Sequence, residues 1–540
     1  MKKITAFFIL SIAIACQPGK PFEAPLWQKY DEAAFLDANK DHPNRRMRYK
    51  LIQSKFLDKQ DIWNTISDQL SGFTSEKYAE LKPFILERTI PEIQESVDDG
   101  KLSYTQLTQW YLYRIMLFEN DSTKTLHSII SINPVAVETA KQMDKNKGDK
   151  NHPIYGMPVL LKDNISTDGM PTTAGAHAMK DNNAPDADIV KNLKSNGAII
   201  LGKVNLSEWA YYFCDGCPVG YSAMGGQSLN PYGRMKYESG GSSSGSGTTI
   251  AANYATAAVG TETSGSILYP SAINSVVGLK PTVGLLSGNG IVPISKTLDT
   301  AGPMTRSVTD NAILLSAMES SKSTGKEYLN AVNEASIRAR KLIAINGFYE
   351  NDSLYKQAVD LLIENGADII FRDRPDFNWD GFLTLLNLDM KEDIPVYMEH
   401  FASADVQART IQELAEYNKK DSSAFMPYGQ GRFDAILQDS TTNDSFQLVR
   451  AELLKRGKAY FDELIGKSMA EAVLSINNAH AGQAAVAHFP CLTVPMGYRE
   501  DGEPAGLTFV GSSGEEKRLY SLAAVYENLS KHRRIPEAFH

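Results

Sequence analysis

Three short stretches of this 540-residue chain hold residues whose types and spacing could do chemistry. Lys162 closes the apolar run 159–161 and is followed by Asp163 and Asn164. A lysine carried into a core must find an opposite charge or give up its proton, and a neutral amine is a base. At a strand end facing water the same residue would be ordinary surface charge. Residues 240–247 read Gly-Gly-Ser-Ser-Ser-Gly-Ser-Gly. A phosphate loop would need a strand before these glycines and a Lys-Ser/Thr after them, and both are missing. Residues 241–245 fit the G-x-S-x-G elbow with Ser243 as nucleophile. That elbow needs a strand directly before it and an acid and a histidine downstream. The preceding 230–238 read as loop, and His480 and His488 sit in no persuasive setting. The third stretch, 260–267, is Gly-Thr-Glu-Thr-Ser-Gly-Ser-Ile. A small-residue turn after an apolar run can aim backbone N–H groups at one oxyanion. Without that role it is a plain strand-to-helix turn.

The elements that must position these stretches alternate in type. Ser103 is a natural N-cap for a helix running to about 118, with Leu107, Trp110, Tyr111 and Ile115 on one face. Residues 129–132, 159–161 and 199–201 read as short strands, with a helix over about 189–194 between the last two. This alternation predicts an α/β layered domain. Between 225 and 302 the chain is rich in Gly, Ser, Thr and Ala, yet 250–259 and 275–279 are apolar enough to be buried. Small residues inside a core mark places where backbone closely approaches backbone or ligand. Residues 16–84 read as an N-terminal tether and helical extension, and 320–475 as a charged, helical insertion or cap. Strand-like runs return from 479. Trp209, Tyr211, Tyr212 and Phe213 could line an apolar pocket or belong to the core.

With 42% apolar and 22% charged residues, the chain can bury a large core, and disorder is not expected. The net charge of -9, without a basic run interleaved with aromatics, gives nucleic-acid binding no support. The start resembles an export signal: Lys2 and Lys3, an apolar run too short to span a bilayer, then Ala13-Ile14-Ala15-Cys16. This resembles a bacterial lipobox. It implies a signal peptide over 1–15, acylation of Cys16, and a protein exported and lipid-anchored to the cell envelope, touching the membrane only through that anchor. Cys214 and Cys217 form a CxxC that is too small for a zinc site; a local disulfide and two free thiols remain open. Cys491 lies in an apolar run and reads as a packing residue.

Taken together and in order, the three stretches resemble the amidase signature family. Supporting segments agree: Pro-Thr-Thr-Ala-Gly at 171–175, Gly-Lys-Val-Asn-Leu at 202–206, Val-Gly-Leu-Lys-Pro at 277–281 and Asp-Thr-Ala-Gly-Pro at 299–303. Leu-Thr-Val-Pro at 492–495 and Gly-Leu-Thr-Phe-Val at 506–510 agree as well, so the resemblance covers roughly 85–530. The wording around 260–267 and the serine run look most like bacterial peptide amidases. The resemblance implies one large α/β/α layered domain over 85–535, with a central mixed sheet flanked by helices. It also implies a Ser–cis-Ser–Lys triad: Ser266 as nucleophile, Ser242 after a cis peptide from Gly241 as bridge, and Lys162 as base. The backbone N–H groups of Thr263, Ser264, Gly265 and Ser266 would form the oxyanion hole, and no metal or cofactor is required. The substrate would be a small amide or a short peptide amide. Leu268 stands where many members carry arginine, and Ser264 where many have Gly or Asp. That arginine commonly serves acidic substrates, including glutamine in the transamidation branch, and its absence argues against that branch, as does export. The competing functions are a catalytically silent binding lipoprotein and a Ser-His-acid hydrolase using Ser243.

Overall fold

The computed structural model describes residues 22–320 and 324–540; the signal segment and Cys16 lie outside the described residues. Eleven strands make one mixed sheet in the order β1-β3-β2-β6-β8-β7-β12-β13-β11-β9-β10. They are β1 (Ile129–Ile132), β2 (Pro158–Lys162), β3 (Ile199–Val204), β6 (Ala257–Glu262), β7 (Val277–Lys280), β8 (Thr300–Thr305), β9 (Lys341–Ile345), β10 (Asp368–Arg372), β11 (Ala472–Ile476), β12 (Cys491–Tyr498) and β13 (Pro504–Val510). A separate two-stranded ribbon pairs β4 (Tyr221–Ser222) with β5 (Gly226–Gln227). β2 is fully buried, as are β3, β6, β7 and β8. Helices therefore cover both faces, which explains why these strands are written as small or apolar runs rather than in alternation.

One pairing decides where the chemistry can sit. β2 and β6 are adjacent and parallel, with Leu161 opposite Val259. Their carboxyl ends therefore finish at the same edge, and Lys162 emerges beside the end of β6. The Ser244–Ala251 helix lies close to this edge. A Cβ on Gly245 would sit 2.5 Å from the Asn205 carbonyl oxygen, and one on Gly247 2.9 Å from that of Pro270. Glycine there is a steric requirement.

The N-terminal region is more than a tether. Helices at Ala33–Asn39, Lys59–Ser67 and Ser75–Ile85 lead into the domain, and Trp63, Ile66, Leu70 and Ile85 are wholly buried in its main core. Lys59 pairs with Glu119 at 3.0 Å, both buried. The Tyr104–Glu119 helix starts with a capping box from Ser103 and Gln106, as its sequence predicts.

The stretch 320–475 corrects the expectation of a helical insertion. It supplies β9 and β10, which extend the sheet in parallel register, with the Ser353–Glu364 helix as their crossover. Runs such as Lys-Leu-Ile-Ala-Ile are too short to be told from helix by periodicity alone. The rest is helical and forms the cap: Phe382–His400, Ile411–Asn418, Gly431–Gln438 and Asn443–Ile465. Its apolar side shares one buried cluster with Trp209, Tyr212 and Phe213. Those aromatics are therefore core between body and cap. Among the described residues no helix is long and apolar enough to cross a membrane.

Candidate active site

Lys162 is wholly buried, so the water-facing alternative for this strand-end lysine is excluded. Its Nζ lies 2.7 Å from Ser242 Oγ, 3.0 Å from the Thr261 carbonyl oxygen and 2.8 Å from Thr261 Oγ1. Asn164 donates to the same Thr261 hydroxyl at 3.0 Å. Burial pushes the Lys162 ammonium down to about 7, against the opposing pull of Asp299 and Glu262. Three oxygens around one nitrogen match the three donors of an ammonium, and loss of one proton leaves a neutral amine with two donors and a lone pair. Its two N–H groups can serve the oxygens of Thr261, and its lone pair is left for the Ser242 hydroxyl.

Ser242 is buried and follows the cis peptide Gly241–Ser242. Its carbonyl accepts the Ser207 N–H at 3.0 Å. Ser266, partly exposed, lies on the turn 263–267 between β6 and the Leu268–Ile273 helix. The two serine segments meet through the backbone, where Ser243 N–H donates to the Ser266 carbonyl at 3.1 Å. Among the described residues no hydrogen bond joins the Ser242 and Ser266 hydroxyls. Such contacts are often loose in free enzymes and tighten with substrate bound.

The turn is held from beneath. The buried Glu262 carboxylate accepts N–H groups from Gly265 at 2.7 Å, Ile267 at 2.7 Å and Leu268 at 2.9 Å. Burial raises the pKa of this carboxyl, while Lys280 and the three donors oppose the rise. This contact corrects the expected oxyanion donors: Gly265 N–H is committed to Glu262, which leaves Thr263, Ser264 and Ser266. Thr263 Oγ1 donates to Asp299 Oδ1 at 2.5 Å. The other Asp299 oxygen accepts from Ile294 and Ser295 N–H at 2.8 and 3.0 Å. Burial pushes Asp299 up to about 6. Beside Lys162, Asp163 and Lys203 form a fully buried ion pair at 3.0 Å.

The elbow reading of Ser243 loses its support. No strand runs directly into residue 241; the last one before it is β5. The Ser243 hydroxyl donates to the Thr261 carbonyl at 3.0 Å and accepts Thr261 N–H at 3.2 Å, which ties it to β6. His480 instead pairs with Ser475, at 2.6 Å. Leu268 is buried among Ile343, Val473 and Ala481, so the position that often carries arginine is here part of an apolar cluster.

Sequence reasoning did not single out Thr261, Glu262, Asn164 or Asp299. All four stand inside or next to the motif segments, but Asn164 and Thr261 meet only through the parallel β2–β6 pairing, and Glu262 and Asp299 act on the 263–268 turn through side-chain contacts that no local period encodes. Cys214 and Cys217 are joined in a disulfide, settling the open alternative, and Cys491 is buried in β12.

A buried lysine against one serine, with a second serine on a neighbouring turn, is an arrangement that could activate an alcohol nucleophile. Comparison with known proteins narrows that chemistry. The family model for amidases matches residues 106–369. A probable amidase from Arabidopsis thaliana is 31% identical over 490 residues, covering 84% of this chain and 92% of the plant protein. The crystal structure of an amidase family protein from Bacillus anthracis str. Ames has a TM-score of 0.84 at 36% identity, over 90% of this chain and 99% of that one. The native peptide amidase of Stenotrophomonas maltophilia has a TM-score of 0.77 at 32% identity, over 84% and 99%. The chain belongs to the amidase family and is a hydrolase acting on amides.

Proposed function

We propose that the chain hydrolyses a carboxamide, either a small amide or the C-terminal amide of a short peptide, through an acyl-enzyme on Ser266. The observation that carries this reading is the 2.7 Å contact between a wholly buried Lys162 amine and the Ser242 hydroxyl. The neutral amine takes the Ser242 proton while Ser242 takes that of Ser266, and Ser266 Oγ bonds to the amide carbon. The carbonyl electron pair moves to oxygen and is held by N–H groups of the turn, each donor contributing about 3 kcal/mol. Lys162, now an ammonium, returns its proton through Ser242 to the leaving nitrogen as the C–N bond breaks. Water then repeats the sequence on the ester and frees the acid and Ser266. Preference for uncharged acyl groups is supported by the apolar Leu268, and a peptide amide by the likeness to the Stenotrophomonas maltophilia enzyme. Export with a lipid anchor at Cys16 remains part of the proposal; the Cys214–Cys217 disulfide, typical of oxidising compartments, supports export.

The test is ammonia release from a panel of peptide amides and simple amides by the intact chain and by Ser266→Ala and Ser243→Ala variants. Loss in the first variant with retention in the second is expected. The reverse pattern would return the nucleophile to Ser243, and no turnover of any amide by the parent would favour the silent binding protein.

A further inference from the structure

The CxxC disulfide has no part in the reaction just described. Its cysteines are 8% and 7% exposed, and no metal-binding cluster exists among the described residues. It closes the tip of loop 207–220, and both ends of that loop bear on Ser242. Ser207 N–H donates to the Ser242 carbonyl at 3.0 Å, and Ser207 Oγ accepts Gly220 N–H at 2.8 Å. A Cβ on Gly241 would lie 2.6 Å from both Ser207 Oγ and Val219 Cγ1, so the two ends clasp this peptide. Inside the loop, Trp209, Ala210 and Tyr211 hold φ angles of 49°, 53° and 76°. Three consecutive left-handed side-chain residues persist only when their surroundings over-determine them. Trp209 N–H donates to the Ala174 carbonyl at 2.9 Å, and the tip adds to that constraint. Tyr211 hydroxyl donates to the Cys217 carbonyl at 2.8 Å, and Asp215 pairs with Arg432 of the cap at 2.8 Å. Arg432 N–H donates to the Phe213 carbonyl at 3.1 Å, and Phe213 meets Phe433 edge-on at 5.1 Å.

We propose that the disulfide-closed loop 207–220 is the positioning element of Ser242: a brace that joins the cap to the bridging hydroxyl and holds it in line between Lys162 and Ser266. The proposal rests on Ser242 as the proton relay. Opening the disulfide with a dithiol breaks the S–S bond, transfers two electrons and two protons to give two thiols, and converts the dithiol to its own disulfide. The freed tip loses its closure, the left-handed run relaxes, and the Ser207 hold on the Ser242 carbonyl loosens. A misplaced relay slows proton transfer without removing the substrate's contacts, so kcat falls while KM for a small amide changes little.

The test is a double-mutant cycle on a small activated amide. Cys214→Ser/Cys217→Ser is expected to lower kcat about tenfold to a hundredfold with KM within about threefold, as a small displacement of a reacting group does. In the Ser242→Ala background the same cysteine changes should cost nothing further, because the group being positioned is gone. Dithiothreitol on the folded parent should reproduce the loss reversibly and leave the Cys214→Ser/Cys217→Ser variant unchanged, which removes misfolding as an explanation. Equal losses in both backgrounds, or an unchanged kcat, would overturn the brace. Full activity of Ser242→Ala alone would overturn the relay reading beneath it, and that arm involves no cysteine.

Discussion

Turnover should switch on as pH rises through about 7, because only the neutral form of Lys162 can take a proton. With the amine at about 7, roughly a tenth of the enzyme is competent at pH 6 and about nine tenths at pH 8. An ordinary lysine near 10.5 would leave only about three molecules in ten thousand competent at pH 7. The gap between 10.5 and about 7 corresponds to about 5 kcal/mol, set against folding by burial. Between those two values the unfolded chain binds more protons than the folded one, so stability attributable to this residue rises with pH across that window. The cost is fully present below about pH 7 and gone above 10.5. Replacing Lys162 by Met removes it. The variant should lose at least about a thousandfold in kcat/KM yet resist urea at pH 7 no less than the parent, and any advantage should shrink as pH rises towards 10. Initial rates from pH 5 to 10, with urea melts of both proteins at pH 7 and 9.5, check both halves. A rate profile rising only near 10, or an active Met variant, would refute the reasoning.

Other outcomes follow from neighbouring groups. Asp299→Asn removes a negative charge that favours the ammonium, so the midpoint of the rate profile should move to lower pH, by about one unit. Glu262→Ala frees the three N–H groups that shape the nucleophile turn; kcat should fall by about a hundredfold, read against an unchanged circular dichroism spectrum. Lys203→Met strips the buried Asp163 of its cation and leaves it only the Thr173 donors, and denaturant titration should show a loss of about 3–5 kcal/mol. Leu268→Arg places a cation in an apolar cluster, so it should destabilise the fold before it can widen substrate choice, which a thermal melt would show.

Much of the site was legible because its chemistry is local in sequence. Lys162, the serine run and the turn at 260–267 each occupy a few consecutive residues, and the resemblance they carry assigned Gly241–Ser242 its cis bond, which the structure contains. The helix after Ser103 was legible through its cap, and β1, β2 and β3 as short apolar runs. Part of what was lost depends on distance along the chain, and part on the return of one side chain to its own turn. Lys162 meets Thr261 across 99 residues because β2 and β6 are parallel neighbours, and Glu262 folds back on its own turn. The oxyanion set was drawn one donor too wide for that reason. β9 and β10 were hidden because three or four apolar residues among charged helices carry no decisive period. The N-terminal helices looked detachable because their burying surface, around Tyr78, Trp110 and Arg114, lies partly in a later helix.

The central claim is that Ser266 becomes covalently acylated while Ser242 and Lys162 only move protons. Intact-mass analysis of enzyme quenched during turnover of an activated ester or anilide tests it most directly, followed by peptide mapping. The account predicts one acyl group per chain, on the peptide holding Ser266, absent in Ser266→Ala and slower to form in Lys162→Ala. An acyl group on Ser242 or Ser243, or rapid labelling that survives loss of Ser266, would contradict it.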